Sequence, residues 1–174
     1  MGISKKVCLV GDFAVGKTSL IRRFVYDLFD DKYLSTIGVK VSRKRIMLPS
    51  AEGADAPLTE LTMMLWDLAG SEEFTQVRAS YLRGTAGALL VCDLTRAETL
   101  ESLRSYADDL WSVSPSARVV LAANKQDLVE ERQLTVEQIE AAAADLGAPF
   151  YLTSAKTGQG VEAAFYHLGR LLLA

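Results

Sequence analysis

A glycine-containing run from Gly11 to Thr18 combines the residue types that bind phosphate groups. The run reads GDFAVGKT, follows the apolar residues VCLV and precedes a helical pattern. Amides of such a loop and its helix N-terminus donate to phosphate oxygens, Lys17 reaches the outer phosphates, and the Thr18 hydroxyl binds Mg²⁺. The alternative is a glycine-rich turn with a chance Lys-Thr pair. The predicted phosphate-binding residues are Asp12, Phe13, Ala14, Val15, Gly16, Lys17, Thr18 and Ser19.

An acidic anchor for a metal–triphosphate complex is predicted at Asp67, which follows the apolar run LTMMLW. A Mg²⁺ ion bound to a triphosphate needs a carboxylate at the end of a strand near the phosphate loop. Gly70 comes three residues later, and because it has no side chain its amide can approach the terminal phosphate. The alternative role of Gly70 is a simple turn after the strand. From these residues, Asp67 and Thr18 are the predicted Mg²⁺ ligands.

The tetrapeptide NKQD at 124–127 follows the apolar run RVVLAA and is predicted to bind the base. The carboxylate of Asp127 can accept hydrogen bonds from both the ring N–H and the exocyclic amine of guanine. Adenine has no such pair of donors, and a site of this kind can reject the wrong base by roughly 10⁴–10⁵. The segment TSAK at 153–156 offers a backbone amide to the guanine carbonyl. The predicted guanine-binding residues are Asn124, Lys125, Asp127, Ser154, Ala155 and Lys156.

The elements that must position these residues alternate between short apolar runs and helical periods. This pattern is typical of a sheet covered by crossover helices, so we predict a single α/β domain over residues 1–174. Its sheet is predicted to have six strands and to be mostly parallel. Strands are predicted near 5–11, 39–48, 58–67, 87–93, 118–124 and 149–153. Helices are predicted near 17–27, 72–83, 97–113, 135–146 and 160–173.

Local sequence signals predict one hairpin connection between strands, the starts of two helices and the end of one of them. The polar, Pro- and Gly-containing segment 49–57 predicts an exposed hairpin tip, which makes the second strand an antiparallel edge strand. The spacing of Thr and Glu in TRAE at 95–98, and of Thr and Gln in TVEQ at 135–138, predicts two capping boxes. Gly147 is predicted to end the second of these helices.

The composition restricts the class of protein and its partners. The chain has 174 residues, 49% hydrophobic and 24% charged, with a formal net charge of −3, so we expect no direct binding of nucleic acid. Cys8 and Cys92 lie in apolar runs and are predicted to be buried thiols in a reducing cytoplasm. We expect no direct membrane anchor, because no apolar run reaches the length of a membrane span and no terminal cysteine is available for prenylation. The oligomeric state is left open.

Five motifs together resemble those of the Ras superfamily of small GTPases. The motifs GDFAVGKT, YLSTIG, WDLAG, NKQD and TSAK occur in this order across nearly the whole chain. Within the superfamily, STIGV, the tryptophan of WDLAG and SYLRGTAGALLVCDLT are most similar to the Rab branch. The resemblance implies a three-layer P-loop G domain that binds GTP or GDP with Mg²⁺.

The resemblance also assigns roles to residues whose chemistry alone is ambiguous. It implies that Thr36 binds Mg²⁺ and the terminal phosphate in the GTP state, that Phe29 packs beside guanine, and that Tyr33 covers the phosphates. Loss of the terminal phosphate would release Thr36 and Gly70 together. Partner proteins would then bind switch I (29–39) and switch II (68–83) and distinguish the two nucleotide states. These partners would be effectors, exchange factors and activating proteins.

Two departures from the family concern hydrolysis. Ser71 occupies the position where most members have the glutamine that orients the attacking water, and a serine is too short for that role. A second water or Glu72 offers a substitute, and Ser71 has the alternative role of a helix cap. Phe13 places a ring in the phosphate loop where the family has small residues, either obstructing an arginine supplied by a partner or facing outward. Ser71 therefore predicts slow intrinsic hydrolysis. Ser71 and Phe13 together predict that a standard Rab-type activating protein does not act on this chain.

Two further departures concern the surface. The interval from Thr36 to Asp67 is longer than is usual in the family, and the excess falls in the hairpin tip. Val41 occupies a position where Rab proteins typically have an aromatic residue that joins Trp66 and Tyr81 in binding effectors. We therefore expect known Rab effectors to fit poorly.

The first hypothesis for the function is a switch enzyme that hydrolyses GTP to GDP and phosphate. Its catalytic residues would be Lys17, Thr36, Gly70 and Ser71. The alternative is a pseudo-GTPase that retains nucleotide permanently and acts as a scaffold for other proteins. Phe13 and Ser71 favour the scaffold, whereas the complete set of predicted Mg²⁺ ligands favours the switch.

Overall fold

A six-stranded mixed sheet forms the centre of the protein. The structure is a computed structural model that describes residues 2–31, 36, 38–53, 55–70 and 75–174. The strands of this part of the chain are β1 (Ile3–Val10), β2 (Val39–Pro49), β3 (Leu58–Leu68), β4 (Gly87–Asp93), β5 (Arg118–Asn124) and β6 (Phe150–Leu152). Their order in the sheet is β2-β3-β1-β4-β5-β6, with all pairs parallel except β2 and β3. The predicted antiparallel edge strand is confirmed.

Helices cover both faces of the sheet. They are α1 (Lys17–Tyr26), α2 (Thr75–Leu82), α3 (Glu98–Glu101), α4 (Leu103–Val113), α5 (Val136–Asp145) and α6 (Val161–Leu173), with a 3₁₀ turn at Val129–Glu131. The single helix predicted near 97–113 is thus divided at Ser102. The Ser102 hydroxyl shares its proton between the carbonyl of Glu98 at 3.0 Å and Oδ2 of Asp12 at 2.8 Å. A serine that bonds to the preceding turn tends to bend a helix. None of the helices in the described residues is long and apolar enough to cross a membrane.

The alternation of side chains along β1 divides the core between the two faces. Val7 and Leu9 belong to one buried cluster with residues of α1 and α6. Cys8 and Val10 belong to the other, with residues of α4 and α5. Because successive residues of a strand point to opposite faces, one central strand supports both layers of helices. The predicted three-layer α/β fold is confirmed, and Cys8 and Cys92 are buried free thiols, as predicted.

Only one of the two predicted capping boxes is present. At the start of α5 the Thr135 hydroxyl accepts from the amide of Gln138, and the Gln138 side chain accepts from the amide of Thr135. Gly147 follows α5 with a positive φ of 61°, as expected for a residue that ends a helix. The box predicted at Thr95 is wrong, because the amide and the hydroxyl of Thr95 both donate to the carboxylate of Asp93. The following helix begins without a side-chain cap.

The connection from β2 to β3 is a hairpin with an exposed tip, as predicted. The amide of Ser50 donates to the carbonyl of Pro57 at 2.9 Å and the Ser50 hydroxyl donates to the same oxygen at 2.8 Å. Beyond this closure, the described tip residues 51–53 and 55 are exposed. The extra length of this connection therefore lies outside the core.

Replacing Thr135 by alanine should lower the free energy of unfolding by about 1 kcal/mol, because the first turn of α5 loses an acceptor for its backbone amide. Urea unfolding followed by circular dichroism measures the change. Glu140→Ala, at an exposed position inside the same helix, serves as the control and should change stability by less than about 0.5 kcal/mol. An equal loss in the two variants would contradict the assigned cap.

Candidate functional site

The loops that follow β1, β3, β5 and β6 meet at one edge of the sheet and enclose a cleft of about 320 Å³. Parallel strands bring their carboxyl ends to the same edge, which is where ligands of open α/β sheets bind. Most of the predicted site residues line this cleft. They are Phe13, Ala14, Gly16, Lys17, Thr18, Ser19, Phe29, Thr36, Gly70, Asn124, Lys125, Asp127, Ala155 and Lys156.

Two glycines of the phosphate loop are required by close contacts with neighbouring strands. A Cβ atom on Gly11 would lie 2.2 Å from the carbonyl oxygen of Val91, and one on Gly16 would lie 2.2 Å from the side-chain nitrogen of Asn124. Both residues also have positive φ angles, 156° and 105°. The φ of Gly16 belongs to the left-handed region that favours glycine. The path of the loop thus depends on residues without side chains.

Lys17 crosses the phosphate loop and is almost completely buried, with 6% of its surface exposed. Its ammonium group donates to the carbonyls of Gly11 and Asp12, at 2.8 Å each. Burial lowers the pKa of Lys17 to about 8, although the carboxylates of Asp67 and Asp12 act to raise it. A buried cation that faces a cleft can stabilise an anionic group there. The loop therefore suits a phosphate ligand.

Three oxygen atoms next to the phosphate loop form a candidate metal site. The Thr18 hydroxyl donates to Oδ2 of Asp67 at 2.5 Å, and the hydroxyl oxygens of Thr18 and Thr36 are 2.6 Å apart. Thr36 also donates to Oδ2 of Asp67 at 3.3 Å. Oδ1 of Asp67 is buried and has no hydrogen-bond partner among the described residues. A set of oxygen ligands with an unsatisfied carboxylate oxygen fits Mg²⁺, which binds such groups.

The environment of Asp67 favours a bound cation. Burial raises the pKa of this carboxyl group, against the lowering effects of the Thr18 hydrogen bond and the Lys17 charge. A buried carboxylate without a full set of partners is costly, and a cation nearby would favour its ionised form. The predicted Mg²⁺ ligands Thr18, Thr36 and Asp67 are thus brought together.

Gly70 packs directly against the phosphate loop. A Cβ atom at this position would lie 2.6 Å from the amide nitrogen of Phe13 and 2.8 Å from the carbonyl oxygen of Gly11. Glycine is therefore needed for close backbone contact, and a simple turn after β3 does not account for it. Gly70 also lines the cleft, on the side of the phosphate loop.

At the other end of the cleft, Ser154 orients Asp127. The Ser154 hydroxyl donates to Oδ1 of Asp127 at 2.7 Å and accepts from the amide of Thr157 at 3.1 Å. Ser154 is fully buried, so it supports the carboxylate from behind. Ala155, by contrast, lines the cleft together with Asp127. This arrangement places a carboxylate residue and the loop after β6 where the base was predicted to bind.

The side chain of Asn124 connects three segments of the site. Its amide nitrogen donates to the carbonyl of Val15 at 3.0 Å. Its oxygen accepts from the Thr153 hydroxyl at 3.1 Å and from the amide of Ala155 at 3.3 Å. Only 2% of Asn124 is exposed, so its polar atoms are used to join the phosphate loop to the loop after β6. Val15, also among the predicted residues, is a buried core residue whose carbonyl takes part in this link.

Lys125 is held by a buried carboxylate that the motifs did not identify. Lys125 has a positive φ of 69°, and its ammonium group lies 2.7 Å from Oδ2 of Asp93. Arg96 contacts the same oxygen at 3.0 Å. Burial acts to raise the pKa of Asp93, but hydrogen bonds from Lys125 and Thr95 outweigh it, so the pKa is lowered. The signal that could have revealed Asp93 was a charged residue directly after the apolar run ALLVC.

Arg23 on α1 is a second residue that the motifs did not identify. Its guanidinium donates to the carbonyls of Ala155 at 2.8 Å and Lys156 at 2.5 Å. It also pairs with Asp27 at 2.8 Å. Since these contacts join residues more than 130 positions apart, no local pattern could have revealed them. Arg23 therefore attaches the loop after β6 to the helix that follows the phosphate loop.

The remaining predicted residues occupy different positions around the cleft. Phe29 lines it and packs against the core cluster shared with α1. Phe13 lies at the mouth with half of its surface exposed, and its carbonyl accepts from Arg96 at 2.8 Å. Asp12 directs its carboxylate away from the cleft toward α4. Tyr33 and Ser71 lie outside the described residues.

Comparison with known proteins places the chain in context. The sequence matches the Ras family over residues 6–174. It is 34% identical over 166 residues to the Ras-related protein Rab-8A of Gallus gallus, and the aligned part covers 95% of this chain and 76% of that protein. The matched range includes every segment that lines the cleft. Both comparisons agree with the resemblance carried by the five motifs.

Replacing Arg23 by alanine should increase the rate of GDP release roughly tenfold, because the loop at Ala155 loses two charged hydrogen bonds. Displacement of a fluorescent GDP analogue by excess GDP measures this rate. Arg22→Ala, one residue earlier on α1, is the matched control and should leave the rate unchanged. Equal release from Arg23→Ala and the native chain would show that the contact has no role in holding nucleotide.

Proposed function

The chain belongs to the Ras family, whose members are small GTPases, and we propose that it binds GTP or GDP together with Mg²⁺ and hydrolyses GTP slowly. The observation that supports this proposal best is the cluster of oxygens from Thr18, Thr36 and Asp67 beside the phosphate loop. Asp127 lines the same cleft at the base end. The cleft thus has separate ends suited to a metal–phosphate group and to guanine.

Each side chain at the phosphate end would have a distinct part in holding GTP. Lys17 would place its positive charge against the outer phosphates, while backbone amides of the loop donate to the phosphate oxygens. Thr18, Thr36 and Asp67 would hold Mg²⁺, which when bound neutralises charge on the phosphate oxygens. Because Lys17 already bonds to loop carbonyls, its position needs little adjustment when nucleotide binds.

A switch function follows from the residues that reach this end from outside the phosphate loop. Thr36 belongs to switch I and contacts both Thr18 and Asp67. Gly70 lies near the start of switch II and packs on the phosphate loop. Loss of the terminal phosphate would remove a shared ligand of both segments and let them relax together. A permanently bound ligand would not need Thr36, so this arrangement supports a switch over a static nucleotide site.

The proposal of slow intrinsic hydrolysis depends on Ser71, whereas Phe13 concerns hydrolysis stimulated by a partner. A serine side chain is too short to orient a water for attack on the terminal phosphate, in contrast to the glutamine of most relatives. Phe13 lines the mouth of the cleft with half of its surface exposed. A ring in this place would obstruct an arginine supplied by a partner. The same two residues favour the second candidate function, a pseudo-GTPase scaffold. The two functions differ in whether bound GTP is converted to GDP.

Partners would contact the surface around the two switch segments. Val41 and Val77 are exposed there to 45% and 48%. Trp66 is half-buried, with its ring centre 6.3 Å from that of Tyr81. We propose that effectors, exchange factors and activating proteins bind this surface of apolar side chains. A cytoplasmic location is proposed from the two buried free thiols, which suit a reducing compartment.

Replacing Ser71 by glutamine should accelerate GTP hydrolysis at least about tenfold, because the longer amide can orient the attacking water. Single-turnover hydrolysis with chromatographic separation of GTP and GDP measures the rate. Ser71→Ala is the control for the serine hydroxyl and should stay close to the native rate. Native turnover as fast as that of Ser71→Gln would refute slow hydrolysis, and bound GTP that persists in every variant would favour the scaffold.

Replacing Asp127 by asparagine should weaken GDP binding by about 10- to 100-fold, since one charged acceptor for the base is lost. Equilibrium titration with a fluorescent GDP analogue measures the affinity. Glu130→Gln, in the adjacent exposed turn, removes a carboxylate of similar chemistry and should bind GDP normally. Identification of the nucleotide released on denaturing the native protein is an independent check, and an adenine nucleotide there would refute the assignment of guanine.

A further inference from the structure

The carboxylate of Asp12 in the phosphate loop is held by two side chains from the α3–α4 region. Oδ1 accepts from the hydroxyl of Tyr106 at 2.9 Å, and Oδ2 accepts from the hydroxyl of Ser102 at 2.8 Å. The backbone carbonyl of the same Asp12 accepts from Lys17 at 2.8 Å. A shift of the Asp12 side chain would therefore also move a carbonyl that positions Lys17.

Tyr106 is in turn held by Arg78 of α2. The centre of the Arg78 guanidinium lies 4.5 Å from the centre of the Tyr106 ring. Arg78 also donates to Oδ2 of Asp109 on α4 at 2.5 Å. Only 8% of Arg78 is exposed, so its charge is buried between the two helices and needs both contacts. Arg78 therefore joins α2 to the tyrosine that holds the phosphate loop.

The tyrosine hydroxyl acts as a hydrogen-bond donor in this contact. Tyr106 is 9% exposed. Burial and the charge of Asp12 raise the pKa of Tyr106 to about 12, so the hydroxyl keeps its proton at neutral pH. A protonated phenol between a carboxylate and a guanidinium is favourably placed, because it donates to one while the other contacts its ring.

Two contacts from switch II therefore reach the same short stretch of the phosphate loop. Gly70, before the segment 71–74, packs against the backbone of Asp12 and Phe13. Arg78, after that segment, reaches Asp12 through Tyr106. The start of switch II and its helix are thus both tied to the residues that support Lys17.

We propose that Tyr106 is a positioning residue that couples α2 to the retention of nucleotide by the phosphate loop. A partner that displaces α2 would remove Arg78 from Tyr106, weaken the hold on Asp12 and speed the release of nucleotide. This inference rests on the proposed binding of guanine nucleotide. It adds a route, through the side chains Arg78, Tyr106 and Asp12, by which the position of switch II controls release.

The first experiment measures GDP release from the native chain and from Tyr106→Phe, in the presence of Mg²⁺. Loss of one hydrogen bond to a carboxylate should raise the release rate about five- to tenfold. Tyr151→Phe is the matched control, because its hydroxyl makes a 2.8 Å hydrogen bond to His167, outside the residues that line the cleft. This control should release GDP at the native rate. Equal rates for Tyr106→Phe and the native chain would overturn the proposal.

The second experiment separates coupling from general loosening of the structure. Arg78→Met should speed release in the native background but should add nothing in the Tyr106→Phe background, because its effect passes through the tyrosine hydroxyl. If the two substitutions each raised the release rate independently, so that their fold-changes multiplied in the double variant, the proposal would be overturned. Asp12→Asn weakens the same acceptor without changing the size of the side chain, and it should also speed release.

The native chain is measured first, so the two proposals fail in different ways. Native protein that binds no GDP would overturn the proposed function and, with it, this inference. Native protein that binds GDP, with unchanged release in Tyr106→Phe and Asp12→Asn, would overturn only the role of Tyr106. Thermal unfolding of each GDP-bound variant accompanies the rates. Faster release that is matched by a proportional loss of thermal stability in the same variant would show general loosening and would also contradict coupling.

Discussion

The geometry of the site depends on the buried side chain of Asn124. Its amide bonds to the carbonyl of Val15 in the phosphate loop and to two groups of the loop after β6. The same side chain approaches Gly16 so closely that any Cβ there would collide with it. Since an unpaired buried amide is costly, all three segments must assemble together. The phosphate end and the base end of the cleft are thereby set at a defined distance from each other.

Near this link, two buried aspartates differ in how far the protein's own residues satisfy them. The carboxylate of Asp93 is paired with Lys125 and Arg96 and accepts hydrogen bonds from Thr95. Asp67 is different, since one of its carboxylate oxygens has no partner in the described part of the chain. Buried charges are tolerated when they are paired, so the unsatisfied carboxylate marks the place where a ligand contributes most. The contrast between two buried aspartates separates a structural charge from a binding charge.

Three residues from outside the phosphate loop support it. Asn124 lies buried at the end of β5. Gly70 and, through Tyr106, Arg78 belong to switch II. In the proposed function, the phosphate loop would therefore respond to the position of switch II while the base end stays fixed by Asn124 and Arg23. Small shifts at one end of the cleft can then alter nucleotide retention without rearranging the sheet.

Residue types and spacing in the sequence were enough to predict four features. These are the phosphate loop, the acidic residue after β3, the base-binding segment and the antiparallel edge strand. The sequence also determined the capping box at Thr135, because a cap needs only residues within one turn of each other. Tertiary structure decided the rest. Thr95 does not cap the following helix, because its hydroxyl and its amide both donate hydrogen bonds to Asp93 at the end of a buried strand. The contacts of Arg23 with Ala155 and of Tyr106 with Asp12 join residues 132 and 94 positions apart. Periodicity and spacing describe only neighbours along the chain, so such pairs become defined only when the helices pack on the sheet.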